Sequence, residues 1–169
     1  MSFLLGLTGS IGMGKSRTSA LFAERGCAIW DADLKVHQAY GLGGVAVEPV
    51  NKILPQVIDK KKINRKKLRQ LISKDPSILP QIEAIVHPLL QQDRQNFISA
   101  NSSSILVFDI PLLFELNAET DFDAVACVFC EPEIQKERVM NRPGITKGYF
   151  EMILSKQLSA AEKVARSDY

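Results

Sequence analysis

The sequence is poor in several features, and each shortage excludes something. Cysteine occurs three times, at 27, 127 and 130. An odd number of thiols is no disulfide framework, so reduced cysteines of a cytoplasmic protein are expected. Charge of one sign is lacking: 21 basic residues face 19 acidic ones, a formal +2. That imbalance is too small to imply a nucleic-acid or membrane partner. No apolar run approaches the ~18 residues of a membrane-spanning helix. The opening apolar stretch, about five residues, is broken by Gly6 and Gly9 and has no basic flank, which is not the pattern of a secretory signal. Beyond Gly44 glycine almost disappears. Eight of the ten glycines fall in the first 44 residues and four in the first 14, so special backbone geometry is expected at one end.

What is present is ordinary for a globular chain: 169 residues, 46% hydrophobic and 24% charged. Such a chain buries roughly 68–70% of its unfolded surface and needs no staple. Phe3 to Thr8 reads as a short buried strand, followed by a glycine-rich turn and a helix from Lys15 to about Arg25. Cys27 to Trp30 is a second strand, with a helix after it to Tyr40. Residues 45 to about 100 show helical periodicity and no convincing strand. In that stretch Asp75-Pro76 is a helix start, and His87-Pro88 predicts a break. Ile105 to Asp109 and Ala124 to Phe129 are two more strands. Helices are expected from Glu131 to Arg142 and from Lys147 to Ala165, with no repeats or linker. Apolar strands alternating with helices predict an α/β fold with a parallel sheet covered on both faces. The expected organisation is a single domain. Its core is 1–44 and 101–132, its inserted helical lobe 45–100, and its lid and C-terminal helices 133–169.

One motif carries chemistry. Gly9-Ser10-Ile11-Gly12-Met13-Gly14-Lys15-Ser16 is Gly-x4-Gly-Lys-Ser, placed after a strand and before a helix. Polyphosphate needs many donors close together, and glycines let the backbone approach it. The helix N-terminus adds N–H groups and the positive end of its dipole. Lys15 can reach the β- and γ-phosphates, and the Ser16 hydroxyl can ligate Mg²⁺. A signalling GTPase is disfavoured. Asn51-Lys52 continues as Ile53-Leu54 rather than x-Asp, and Asp109-Ile110-Pro111-Leu112 is no Asp-x-x-Gly switch.

Asp31 and Asp33 stand at the carboxyl end of the second strand, the edge that faces ligand in open α/β sheets. Either can accept a proton or cap the next helix, and Asp33 is the better catalytic candidate. Arg138 and Arg142 have the spacing of one helix face. That suits a transferring phosphoryl group, although spacing alone favours a solvated surface. Cys127-x-x-Cys130 lacks a second ligand pair and reads as core thiols. The basic cluster Lys60, Lys61, Lys62, Arg65, Lys66, Lys67 and Arg69 reads as a solvated lobe surface.

Together these residues resemble one family, the dephospho-coenzyme A kinases. The resemblance rests on the opening Gly6-Leu7-Thr8-Gly9 with the phosphate loop, Asp31-Ala32-Asp33, Ile63-Asn64-Arg65 with Leu68, and Leu79 and Glu83 with His87-Pro88. It continues through Pro111-Leu112-Leu113-Phe114-Glu115 and Gln135, Arg138, Arg142 and Gln157. It implies a P-loop kinase fold of three layers, with a parallel sheet, an inserted helical substrate lobe and a helical lid. The implied reaction moves a phosphoryl group from ATP, with Mg²⁺, to the 3′-hydroxyl of dephospho-coenzyme A. On this resemblance Gly12, Met13, Gly14, Lys15, Ser16 and Arg17 hold ATP, and Asp33 acts on the hydroxyl. Asp31, His87, Pro111, Leu112, Leu113 and Glu115 line the acceptor site, and Arg138 and Arg142 belong to the lid.

The chain also departs from that family. Arg17 replaces a small hydroxyl residue, and His37 stands where many members carry arginine. Arg166-Ser167-Asp168-Tyr169 resembles a segment that in the family leads on to a fifth strand and a final helix. Four firm strands are therefore expected, with a fifth barely begun at Asp168. Two alternatives stay open: another small-molecule or nucleotide kinase of the same fold, or a nucleotide-binding module without activity.

Overall fold

The structure, a computed structural model, describes residues 2–169. The chain runs β1 (Phe3–Thr8), α1 (Lys15–Glu24), β2 (Ala28–Asp31), α2 (Ala32–Tyr40), α3 (Val47–Ile53), β3 (Ile58–Asp59), β4 (Lys62–Ile63) and α4 (Arg65–Lys74). It continues through α5 (Ile78–Ala100), β5 (Ile105–Asp109), β6 (Ala124–Cys127), α6 (Pro132–Met140), α7 (Lys147–Leu154) and α8 (Ala160–Arg166). It divides into two compact units, one ending at Asp31 and resuming over Asn101–Tyr169, the other Ala32–Ala100.

The first unit is built on a four-stranded parallel sheet of order β2-β5-β1-β6. Its strands are continuous apolar runs because both faces are covered. On one face Leu5, Leu7, Val107 and Ala124 pack with Phe22 of α1 and Ile29. On the other, Phe108 meets Trp30 at 6.0 Å and Phe122 at 5.3 Å between ring centroids. Gly6 lies under that second cover. A Cβ there would stand 2.7 Å from Leu113 Cδ1, so the segment after β5 can close onto β1 only over a glycine. From β1 the chain crosses to β2 on one side, and from β5 to β6 on the other. The carboxyl ends of β1 and β5 therefore flank the point where the winding reverses, the place where such sheets bind ligands. Beside β6, the N–H groups of Asp168 and Tyr169 donate to the Val125 carbonyl, and Cys127 N–H donates to the Tyr169 carbonyl.

The second unit has its own core of Ala39, Ala46, Val50, Leu54, Val57, Ile63, Leu68, Ile78, Ile82 and Val86. Three sequence expectations fail in this unit. The stretch read as wholly helical contains a hairpin, β3 against β4, turning at Lys60 and Lys61 with φ 48° and 60°. Two successive left-handed residues make a tight hairpin turn that ordinarily advertises itself with Asn or Gly. Here lysines occupy both places, and Gly43 N–H braces the turn by donating to the Lys61 carbonyl at 3.1 Å. The predicted break at His87-Pro88 is also absent, since α5 runs through it. Ala84 and Pro88 are both exposed, so water can serve the carbonyl that proline leaves without a donor, while Ile82 and Val86 stay anchored in the core. Asp75-Pro76 forms a turn that leads into α5 rather than its first residues. The Asp75 carboxylate takes the Ser77 N–H and hydroxyl, and those bonds hold its pKa down.

The last expected helix is two. Ser159 caps α8 in a reciprocal capping box with Glu162, a Ser-x-x-Glu signal that forces a new start. Likewise α6 stops at Met140, because Pro143 disfavours helical geometry at the residue before it. Arg142 therefore lies past the helix, and the shared helical face expected of Arg138 and Arg142 does not form.

Candidate functional site

At the end of β1 the backbone folds into the glycine-rich loop. Met13 N–H donates to the Ser10 carbonyl at 3.2 Å, which tightens the turn. Gly12 has φ +80°, and a Cβ there would lie 2.5 Å from Val139 Cγ2, so both conformation and packing against α6 demand glycine. Gly14, at φ +103°, starts α1 without a side-chain cap, and the first turn of α1 carries no acid. The open N–H groups and the positive dipole end are thus left to an anion, with no carboxylate in that turn to compete.

Lys15 turns its ammonium onto the Asp109 carboxylate at the end of β5. Asp109 is deeply buried, its side chain 3% exposed. In the sheet it stands in register with Leu7 on one side and Asp31 on the other. Lys15, Asp109 and Asp31 thus gather at the carboxyl edge, beside the reversal of winding. Asp109 is the residue that sequence reasoning passed over. The signal available was an acid closing a buried apolar strand of a parallel sheet.

Arg138 also reaches the loop. Its Nη1 donates to the Met13 carbonyl at 3.5 Å and lies 3.4 Å from the position of a Gly14 Cβ. Ser16 and Arg17 are exposed on the first turn of α1, and Arg142 is exposed beyond α6. Cys130 is past the end of β6, so strand alternation does not set its direction. Its N–H contacts Met13 Sδ at 3.3 Å, beneath the loop. Burial pushes the Cys127 thiol up, which disfavours a reactive thiolate.

The Pro111–Glu115 segment is tied down from within the same unit. Lys163 on α8 is wholly buried and gives its ammonium to Glu115 at 2.9 Å and to the Pro111 carbonyl at 2.9 Å. Glu115 also accepts the Leu158 N–H at 2.8 Å, and Thr8 donates its hydroxyl to the Pro111 carbonyl at 3.2 Å. Both carboxylate oxygens of Glu115 are therefore engaged by the chain itself. Leu113 is buried and Leu112 is 40% exposed. Breaking a buried pair on one side leaves an uncompensated charge, so Lys163→Met is expected to lower unfolding free energy by about 3–5 kcal/mol. Pairing it with Glu115→Leu should recover part of that loss in urea denaturation. Equal losses in the single and double variants would mean that the pair does not hold the segment.

In the second unit Asp33 is exposed in the first turn of α2, and His87 is exposed on α5. This unit contains a cleft of about 250 Å³ lined by Lys35, Gln38, Gly44, Leu89, Leu90 and Asp93. Lys35 and Asp93 are paired across it at 3.0 Å. The seven residues of the basic cluster are exposed. No helix among the described residues is long and apolar enough to cross a membrane.

A family model described as dephospho-CoA kinase matches residues 3–169. A Ruegeria pomeroyi protein named dephospho-CoA kinase is 52% identical over 169 residues, covering 100% of this chain and 86% of its relative. A crystal structure of a Thermus thermophilus protein superposes with TM-score 0.89 at 28% identity, covering 98% of this chain and 85% of that one. The structure of a dephospho-CoA kinase from Campylobacter jejuni gives TM-score 0.70 at 22% identity over 100% of this chain and 87% of that one, a likeness of fold.

Proposed function

The chain belongs to the dephospho-CoA kinase family, and on that premise we propose that it transfers the γ-phosphoryl group of ATP to the 3′-hydroxyl of dephospho-coenzyme A. The products are coenzyme A and ADP, in the last step of coenzyme A synthesis. The observation that carries the reading is the phosphate loop at the reversal of the sheet, with Lys15 held at its mouth by Asp109.

The division of labour follows from the residues. The loop residues Gly12, Met13, Gly14, Lys15, Ser16 and Arg17 hold the polyphosphate, through the N–H groups of Gly12, Gly14, Lys15 and Ser16 and the Lys15 ammonium. Arg138, already at the loop, and Arg142 serve a lid within the segment 133–169 of lid and C-terminal helices. There they spread the negative charge of the transferring group and exclude water. Asp33 takes the proton of the attacking hydroxyl. The helical lobe of residues 45–100, with His87, serves as the acceptor lobe. Asp31, Pro111, Leu112, Leu113 and Glu115 are further acceptor residues, and Glu115 also fixes the segment that carries it by pairing with Lys163.

Hard oxygen donors suit Mg²⁺, and the Ser16 hydroxyl with the Asp109 carboxylate would hold it. When bound, the ion supplies neutralisation of charge on the phosphate oxygens. Both substrates are water-soluble, and the reading is of a cytoplasmic enzyme. The test is ADP release from Mg-ATP with a panel of acceptors: dephospho-coenzyme A, adenosine, AMP and pantetheine. Release with dephospho-coenzyme A alone supports the assignment, and faster release with another acceptor would reassign the substrate.

A further inference from the structure

Ile11 sits in the middle of the phosphate loop, and side chains from far along the chain hold both of its backbone polar groups. Its N–H donates to Oε1 of Gln157 at 3.2 Å, and its carbonyl accepts from Nε2 of Gln135 at 2.7 Å. Gln135 is on α6 and 6% exposed. Gln157 is in the connection between α7 and α8, next to Leu158, whose N–H is fixed by Glu115. The next residue, Gly12, is pressed against the same helix, 3.0 Å from the Gln135 carbonyl when given a Cβ.

Orphaned buried backbone groups are costly, so these two amides decide which way the peptides around Ile11 face. An N–H committed to Gln157 does not point at a phosphate. Fixing it that way leaves the N–H groups of Gly12, Gly14, Lys15 and Ser16 to the ligand, those of Met13 and Arg17 being given to the Ser10 and Gly14 carbonyls. We propose that Gln135 and Gln157 are positioning residues for ATP, locking the Ile11 peptides so that the loop is already set for polyphosphate. The proposal rests on the ATP-binding reading above.

The two glutamines play opposite chemical parts, which makes the proposal sharp. A carbonyl only accepts, so Gln135 must donate. An N–H only donates, so Gln157 must accept. Ionised glutamate has the same shape and can only accept. Gln135→Glu and Gln157→Glu add the same charge beside the same loop, yet only the first destroys its hydrogen bond.

Steady-state kinetics on the intact protein test this. Gln135→Glu is expected to raise the KM for ATP about tenfold more than Gln157→Glu does, the scale of one buried hydrogen bond turned into repulsion. At saturating ATP, kcat should fall less than KM rises. Gln157→Leu should raise the KM for ATP above that of Gln157→Glu, despite adding no charge, because it cannot accept. Equal KM shifts in the two glutamate variants, or Gln157→Leu no worse than Gln157→Glu, would overturn the proposal. If Gln135→Glu does not fold, the Gln157 pair decides alone, since that position is only half-buried. Isothermal titration of the unsubstituted protein with ATP separates the two claims. Failure to bind ATP overturns the underlying reading and this proposal with it. Normal binding with equal glutamate variants overturns only the positioning role.

Discussion

Lys15→Ala is expected to reduce kcat by at least about 10²–10³-fold, the scale seen when one preorganised donor to developing charge is removed. The same substitution should also weaken the fold, for a separate reason. The ammonium of Lys15 is a partner of a carboxylate that is almost wholly buried, and its loss removes a counter-charge from Asp109. Removing one side of such a pair costs about 3–5 kcal/mol. The two effects can be separated. Adding Asp109→Asn to Lys15→Ala removes the charge that Lys15 balanced, so the melting temperature should rise towards that of the parent. Because Asp109 is itself a proposed Mg²⁺ ligand, turnover is compared with that of Asp109→Asn alone, and the double variant should stay far below it. Recovery of turnover along with stability would show that Lys15 acts through the fold alone. Wild-type rates in the single variant would sink the assignment of the loop.

Asp33→Asn should lower kcat by about 10²–10⁴-fold, the usual contribution of a positioned general base, and leave the affinity for ATP within about threefold. The asparagine keeps the size and polarity of the side chain but cannot take a proton from the 3′-hydroxyl. Asp33 is exposed in the first turn of α2, so the substitution deprives no buried group of a partner. Stability should therefore be unchanged, which keeps the kinetic reading clean. Isothermal titration with ATP beside steady-state rates decides between roles. A parallel loss of ATP affinity and rate would mark Asp33 as a nucleotide or metal group instead.

The parts of the molecule that could be read from the sequence are those in which local chemistry and fold agree. Apolar runs such as Ile105 to Asp109 announced the parallel sheet, and Gly9 to Ser16 announced the phosphate loop, because each pattern has one economical structural solution. The misreadings arose where tertiary contacts overrode local preference. Lys60 and Lys61 adopt left-handed backbone without the usual turn residues, braced by Gly43 from outside the hairpin. Pro88 stays inside α5 because its neighbours Ile82 and Val86 are anchored in the core.

Within the candidate site, residues with a sequence pattern were legible, whereas those defined by a partner were not. Nothing in the sequence pairs Lys15 with Asp109, or Glu115 with Lys163. Those pairings span 94 and 48 residues. Arg138 shows the intermediate case. Its spacing suggested a solvated face, and only packing of α6 against Gly12 brings it to the loop.

The central claim is that this loop delivers a phosphoryl group to one particular hydroxyl. The most direct test is to incubate the protein with Mg-ATP and dephospho-coenzyme A and to locate the new phosphate by ³¹P–¹H correlation NMR of the purified product. The account predicts one new phosphomonoester, coupled to the ribose H3′, formed in equal amount with ADP. A phosphate at another position, or ATP bound with no transfer to this acceptor, would contradict it.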